Sequence, residues 1–73
     1  MENLDSLIKN TGLKKEWLIK ETKINRNKFY LALKFPQILN DNELTRLSLA
    51  LNIDKQYIIS IINAGNQATG LHH

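Results

Sequence analysis

Three stretches of the chain open alike, with an apolar residue, a small polar one, three mostly polar residues and then a large apolar one. Ile24-Asn25 leads to Phe29, Leu39-Asn40 to Leu44, and Ile53-Asp54 to Ile58. Asn or Asp in the second place accepts a hydrogen bond from an orphan N–H at a helix start, and the flanking apolar pair closes the end as a hydrophobic staple. The spacing therefore predicts three helix N-termini. Leu13 and Leu18 repeat the apolar spacing around Lys14, a poor cap, and mark a weaker fourth start. Only Glu21-Thr22-Lys23-Ile24 joins the helix opened by Leu13 to the one opened by Ile24, so two short helices meet across a tight turn. That is the geometry of a helix-turn-helix.

The rest of the chain also reads as helix. Leu4, Leu7 and Ile8 fall at helical spacing and end at Asn10-Thr11-Gly12, with the glycine placed for a left-handed cap. Trp17 and Leu18 carry the second helix beside Ile19, and Trp17 is expected to serve core packing rather than ligand stacking. The third helix runs from about Arg26 to Lys34 and is stopped by Pro36, because the residue before a proline is pushed out of the helical region. Asn40 and Glu43 form a capping box for the fourth, whose Leu44, Leu47, Leu51 stripe ends at Asn52. Asp54 opens the fifth, Ile58, Ile61 and Ile62 line one face, and Gly65 is expected to close it. No stretch alternates apolar and polar residues as a half-buried strand would, and there is no Asn-Gly or Asp-Gly hairpin turn. The expected fold is all-α, a compact five-helix domain over residues 1–65, followed by a flexible polar tail over residues 66–73. Within that tail His72 and His73 read as the remains of a tag rather than a metal site, since two adjacent side chains on a mobile end cannot complete a tetrahedral shell.

With 73 residues and no cysteine, the chain has neither disulfides nor zinc-finger ligands and must rely on packed helices or a partner. The longest nearly apolar run, Tyr57 to Ile62, is too short to cross a bilayer, and a cytoplasmic protein is expected. An enzyme is the least supported class. There is no cysteine, no internal histidine, no serine paired with a plausible base and no Gly-rich phosphate loop, while capping accounts for Asp54 and Glu43. No cofactor, metal or small-molecule substrate is implied. The charge is more informative. Residues 14–34 hold Lys14, Lys15, Lys20, Lys23, Arg26, Lys28 and Lys34 against Glu16 and Glu21, whereas elsewhere three basic residues face five acidic ones. A polyanion suits such a patch, because each phosphate neutralised by Lys or Arg releases condensed counterions.

Read as a unit, Leu13-Lys14-Lys15-Glu16-Trp17-Leu18-Ile19-Lys20-Glu21-Thr22-Lys23-Ile24-Asn25-Arg26-Asn27-Lys28-Phe29-Tyr30-Leu31-Ala32-Leu33-Lys34 resembles the lambda-repressor-like family of phage and bacterial regulators that includes the Cro proteins. The likeness covers about residues 4–62. It lies in the apolar positions of Leu18, Ile24, Phe29 and Leu33, in the capped Leu-rich fourth helix and in the Ile-Asp opening of the fifth. It implies a lambda-repressor-like DNA-binding domain with helices two and three as the helix-turn-helix. It further implies a transcriptional regulator, usually dimeric on a palindromic operator, with the third helix in the major groove. This chain departs from the family at Ile19, where Ala or Gly is common, at Lys15, where Gln is frequent, and at Lys23, where Gly is common. Lys in a left-handed turn costs on the order of 1 kcal/mol.

Around the third helix, at about 100° per residue, Ala32 and Leu33 share the inward face with Phe29, leaving Arg26, Asn27, Lys28, Tyr30, Leu31 and Lys34 outward. Arg26, Asn27, Tyr30 and Leu31 are the candidate base readers: Arg forks onto guanine, Asn pairs with adenine, and an exposed Leu or ring edge packs on a thymine methyl. Lys15, Lys28 and Lys34 are candidate phosphate contacts that fix register. On the fifth helix Tyr57 and Ile59 are left over from the core face and are expected to support a weak homodimer. The competing reading is a non-enzymatic protein-interaction module, either an antitoxin or anti-repressor partner or the helix-turn-helix domain of a larger protein, using Tyr30, Leu31 and the fifth helix on another protein.

Overall fold

The computed structural model describes residues 3–70, with side chains described through residue 64. The order of elements is α1 (Leu4–Thr11), α2 (Lys15–Thr22), α3 (Arg26–Lys34), a 3₁₀ turn (Pro36–Ile38), α4 (Asp41–Leu51) and α5 (Lys55–Gly70). The fold is all-α, with five α-helices and no strand among the described residues.

Capping sets the boundaries. Asn25 accepts from the N–H groups of Asn27 and Lys28 at 2.9 and 3.2 Å. Asn40 and Glu43 exchange reciprocal bonds at 2.8 and 2.9 Å, and Asp54 accepts from the Gln56 N–H at 3.3 Å. Lys14 gives α2 no side-chain cap. A further capping box, Asn3 with Ser6, opens α1. At the C-termini, Gly12, Lys23 and Asn52 adopt left-handed conformations with φ of 75°, 58° and 57°.

One core joins all five helices: Leu4, Leu7 and Ile8 from α1, Leu18 from α2, Phe29 and Ala32 from α3, Leu47 and Leu51 from α4, and Ile58 and Ile62 from α5 are buried, with Ile24 and Leu39 plugged in from the connections. Burying each large apolar side chain stabilises the fold by about 1.5–3 kcal/mol. Leu33, Leu44 and Ile61 are half-buried against this cluster, and so is Ile19.

Two expectations are corrected. Trp17 is 42% exposed and does not serve the core. Only Leu18 and Thr22 of this eight-residue helix are fully buried; Ile19, about 100° to one side of Leu18, packs partly on the core, and Trp17, about 100° to the other side, faces solvent. Gly65 does not end the fifth helix, whose backbone continues to Gly70; glycine lowers helix propensity by about 1 kcal/mol without blocking the hydrogen-bond ladder as proline does. His72 and His73 lie outside the described residues. Pro36 does stop α3, and it also starts the short 3₁₀ turn that leads to α4.

The turn between α2 and α3 consists of Lys23, Ile24 and Asn25. Its first residue is exposed and carries a Cβ in the left-handed region, so Lys23→Gly removes strain without removing a buried contact. Chemical denaturation should show Lys23→Gly more stable by about 0.5–1 kcal/mol, the gain being trimmed by glycine's unfolded-state entropy. A destabilised variant would contradict the left-handed turn.

Candidate nucleic-acid interface

The outward face of α3 forms one wall of an open groove of about 490 Å³, completed by the starts of α1 and α2. Lys15, Asn27, Tyr30, Leu31 and Lys34 line it together with Asp5 and Leu33. Five of the seven side chains nominated on sequence grounds therefore converge on one concavity, and the other two, Arg26 and Lys28, flank the first turn of α3. Tyr30 and Leu31 are 42% and 50% exposed, so neither is spent on the monomer's core. The Tyr30 ring stands edge-on to the buried Phe29 ring, with centroids 5.8 Å apart, which ties an exposed aromatic to the core.

Acidic partners sit among these cations. The Arg26 guanidinium pairs with Glu16 Oε2, and the Tyr30 hydroxyl donates to that same oxygen at 3.1 Å. Its bond to Glu16, helped by partial desolvation and by the carboxylate's charge, holds the Tyr30 hydroxyl above the ordinary phenol range, with Arg26 opposing. Lys15 Nζ lies 3.4 Å from Asp5 Oδ1, an oxygen that has no hydrogen-bond partner and is shut off from solvent. Lys14, Lys20, Lys23 and Lys34 make no ion pair among the described residues. Pairs between exposed groups contribute at most about 1 kcal/mol, so Arg26 can exchange its partner for a phosphate or a base at small cost.

Lys28 is different. Its ammonium lies 2.9 Å from Glu43 Oε1, and Glu43 is only 8% exposed. Burial pushes the Glu43 carboxyl up, yet the Asn40 N–H, the bond from Lys28 and the charges of Lys28 and Arg46 together outweigh it and hold the carboxyl below its ordinary value of 4.5. Glu43 thus joins α3 to α4 as well as capping α4. Of the three lysines named as phosphate contacts, Lys28 is the one most committed within the fold.

Glu16, Asp5 and the second role of Glu43 were not found from sequence. Glu16 lies ten residues from Arg26, and only the crossing of α2 over α3 brings them together. On α5, Tyr57 is exposed and Ile59 half-buried, both away from the groove. A second concavity, about 410 Å³ at the α4–α5 junction, is lined by Ser48, Leu49, Asn52 and neighbours. Its lining holds one cation, Lys55, against one acid, Asp54, so it offers a polyanion no excess of positive charge. Among the described residues no His, Cys, Asp and Glu cluster could hold a metal ion, and no helix is long and apolar enough to cross a membrane. Comparison with known proteins gives no match, whether to a family model, a curated protein or a solved structure.

Because the folded Glu43 carboxyl titrates below its unfolded value, its stabilisation is complete above the ordinary glutamate range and is lost as pH falls through the folded pKa. Glu43→Gln should cost on the order of 1 kcal/mol at about pH 6, and the gap to the parent should close as pH falls below the ordinary glutamate range and through the folded pKa. Thermal unfolding across that window checks this; a gap independent of pH would refute the charge-based account.

Proposed function

We propose that this chain is a sequence-specific double-stranded-DNA-binding regulator of the phage or bacterial repressor type, with α3 as the recognition helix in the major groove. The observation that carries the reading is the convergence of Lys15, Asn27, Tyr30, Leu31 and Lys34 on one open groove beside Arg26. A helix-turn-helix docks with the N-terminal part of its second helix against base edges, and that is where Arg26 and Asn27 stand. Arg26 and Asn27 supply the donors and acceptors that distinguish guanine and adenine, while Tyr30 and Leu31 offer apolar contact to a thymine methyl. Lys15 and Lys34, at the start of α2 and the end of α3, bracket this set and suit the phosphates on either side. Lys28 joins them by giving up Glu43. The resemblance to the Cro-type regulators supports the same assignment and adds the expectation of a homodimer on a palindromic operator, its contact formed in part by Tyr57 and Ile59.

The exposed apolar pair Tyr30 and Leu31 would equally anchor a protein partner, and salt separates the two readings. Binding of duplex DNA should weaken steeply as salt rises; Lys34→Glu should weaken all sequences alike and reduce the slope of log affinity against log salt by about one. Asn27→Ala should relax preference at one or two base pairs instead. Absence of salt-dependent duplex binding would refute the proposal, and equal losses on all sequences from both variants would refute the division into readers and anchors. Sedimentation at high protein concentration with operator DNA should show two protomers per duplex, reduced to one by Tyr57→Asp; a parent protein that stays one per duplex would contradict the dimer.

A further inference from the structure

Among the described residues, Glu16 is the one carboxylate in direct contact with two of the proposed base readers. It projects from the first turn of α2 and reaches residues 10 and 14 positions further along the chain, Arg26 and Tyr30, through a single oxygen. An acidic residue in a first helical turn is favourable in itself, because it faces the positive end of the helix dipole. That effect needs no particular partner. The bond from Tyr30 and the pair with Arg26 do, and they fix two flexible outward side chains of α3 against α2.

The charge around Glu16 makes its position costly for DNA binding. Lys15 and Lys20 are its neighbours on the same helix, with Lys14 just before it, and a carboxylate among them repels the phosphates that those lysines attract. A residue selected only for affinity would not be acidic here. Orientation is what it provides. Arginine carries five N–H donors in a rigid fork, so with one terminal nitrogen held by Glu16 the remaining donors stay free and point in a defined direction. A carboxylate accepts several donors at once, which lets Tyr30 brace the same oxygen without displacing Arg26.

We propose that Glu16 is a positioning residue of the interface, clasping Arg26 and Tyr30 so that the free guanidinium donors read one base; this rests on the DNA-binding reading above. Affinity and discrimination are then set against each other. Removing the carboxylate charge frees Arg26 to pair with any nearby phosphate, which raises general affinity and blurs the base preference. Loss of a purely structural contact would lower both, and relief of simple repulsion would raise affinity with the preference intact.

The test compares the full chain with Glu16→Gln, which keeps the size of the side chain. Both are used to select from a random duplex library, and their affinities for a non-selected duplex are measured. Glu16→Gln should bind the non-selected duplex about 3- to 10-fold more tightly and lose about tenfold of preference at one or two base pairs. In an Arg26→Ala background the same change should leave preference unaltered, because the reader it positions is gone. An NMR titration of the Tyr30 ring gives a readout without DNA: its pKa should fall in Glu16→Gln. Unchanged preference at raised affinity would overturn the proposal, as would a Tyr30 titration indifferent to the substitution. If Tyr30 responds as expected but neither protein enriches any sequence, the DNA-binding reading has failed and the positioning role falls with it, while the clasp itself stands as a structural contact.

Discussion

The orientation of α3 depends on how the chain is held at Thr22. This residue has no solvent exposure; its hydroxyl donates to the Leu18 carbonyl at 2.7 Å and accepts from the Ile24 N–H at 3.4 Å. Its carbonyl accepts from Arg46 Nε at 2.7 Å, which ties the end of α2 to α4, 24 residues further along. A buried hydroxyl and carbonyl without these partners would each cost about 1–3 kcal/mol, so the turn has little freedom to rearrange. With Ile24 buried one step later and Asn25 capping the next helix, the direction in which α3 leaves the turn is fixed on both sides. The groove exists because of this. If α3 were rotated by one residue, either Tyr30 or Lys28 would take the place of Phe29, and a polar group would enter the core.

Once α3 is fixed, the chemistry of its outer face follows from which charges are already satisfied. Arg26 is held by an exposed carboxylate at low energetic value, Lys15 lies beside the half-buried Asp5, and Lys28 is held by a mostly buried carboxylate. A polyanion approaching this surface would thus find Lys34 open, Arg26 exchangeable, and Lys28 committed to α4. The proposed division between readers and anchors uses this order. It also gives the acids a purpose: they keep long cationic side chains in defined places before any partner arrives, which reduces the side-chain entropy lost on binding.

Much of this architecture is legible in the residues themselves. The caps at Asn25, Asn40 and Asp54, the left-handed positions at Gly12 and Asn52, and the bounds of α3 all follow from interactions within a few residues, where side-chain chemistry acts on the nearest backbone groups, whereas the left-handed turn at Lys23 is expected only from the family resemblance. The outward set on α3 follows from helical periodicity once Phe29 is placed inside. What could not be read depends on contacts between distant elements. Trp17 faces solvent because α2 turns Leu18, Thr22 and the side of Ile19 to the core, and large size alone gives no sign of that. Glu16 meets Arg26 because two helices cross, and Glu43 meets Lys28 because α4 passes the start of α3. Asp5 borders the groove because α1 packs against α3. Sequence spacing carries no information on those crossings, so the cations of the candidate site were visible and its acids were not.

The central claim, that the α2–α3 face is a surface for duplex DNA, is tested most directly by following backbone amide NMR signals while a duplex is added at low salt. The account predicts shifts concentrated at Lys15, Glu16 and residues 25–34, reversed when salt is raised. Shifts confined to α4 and α5, or none at any duplex concentration, would contradict it.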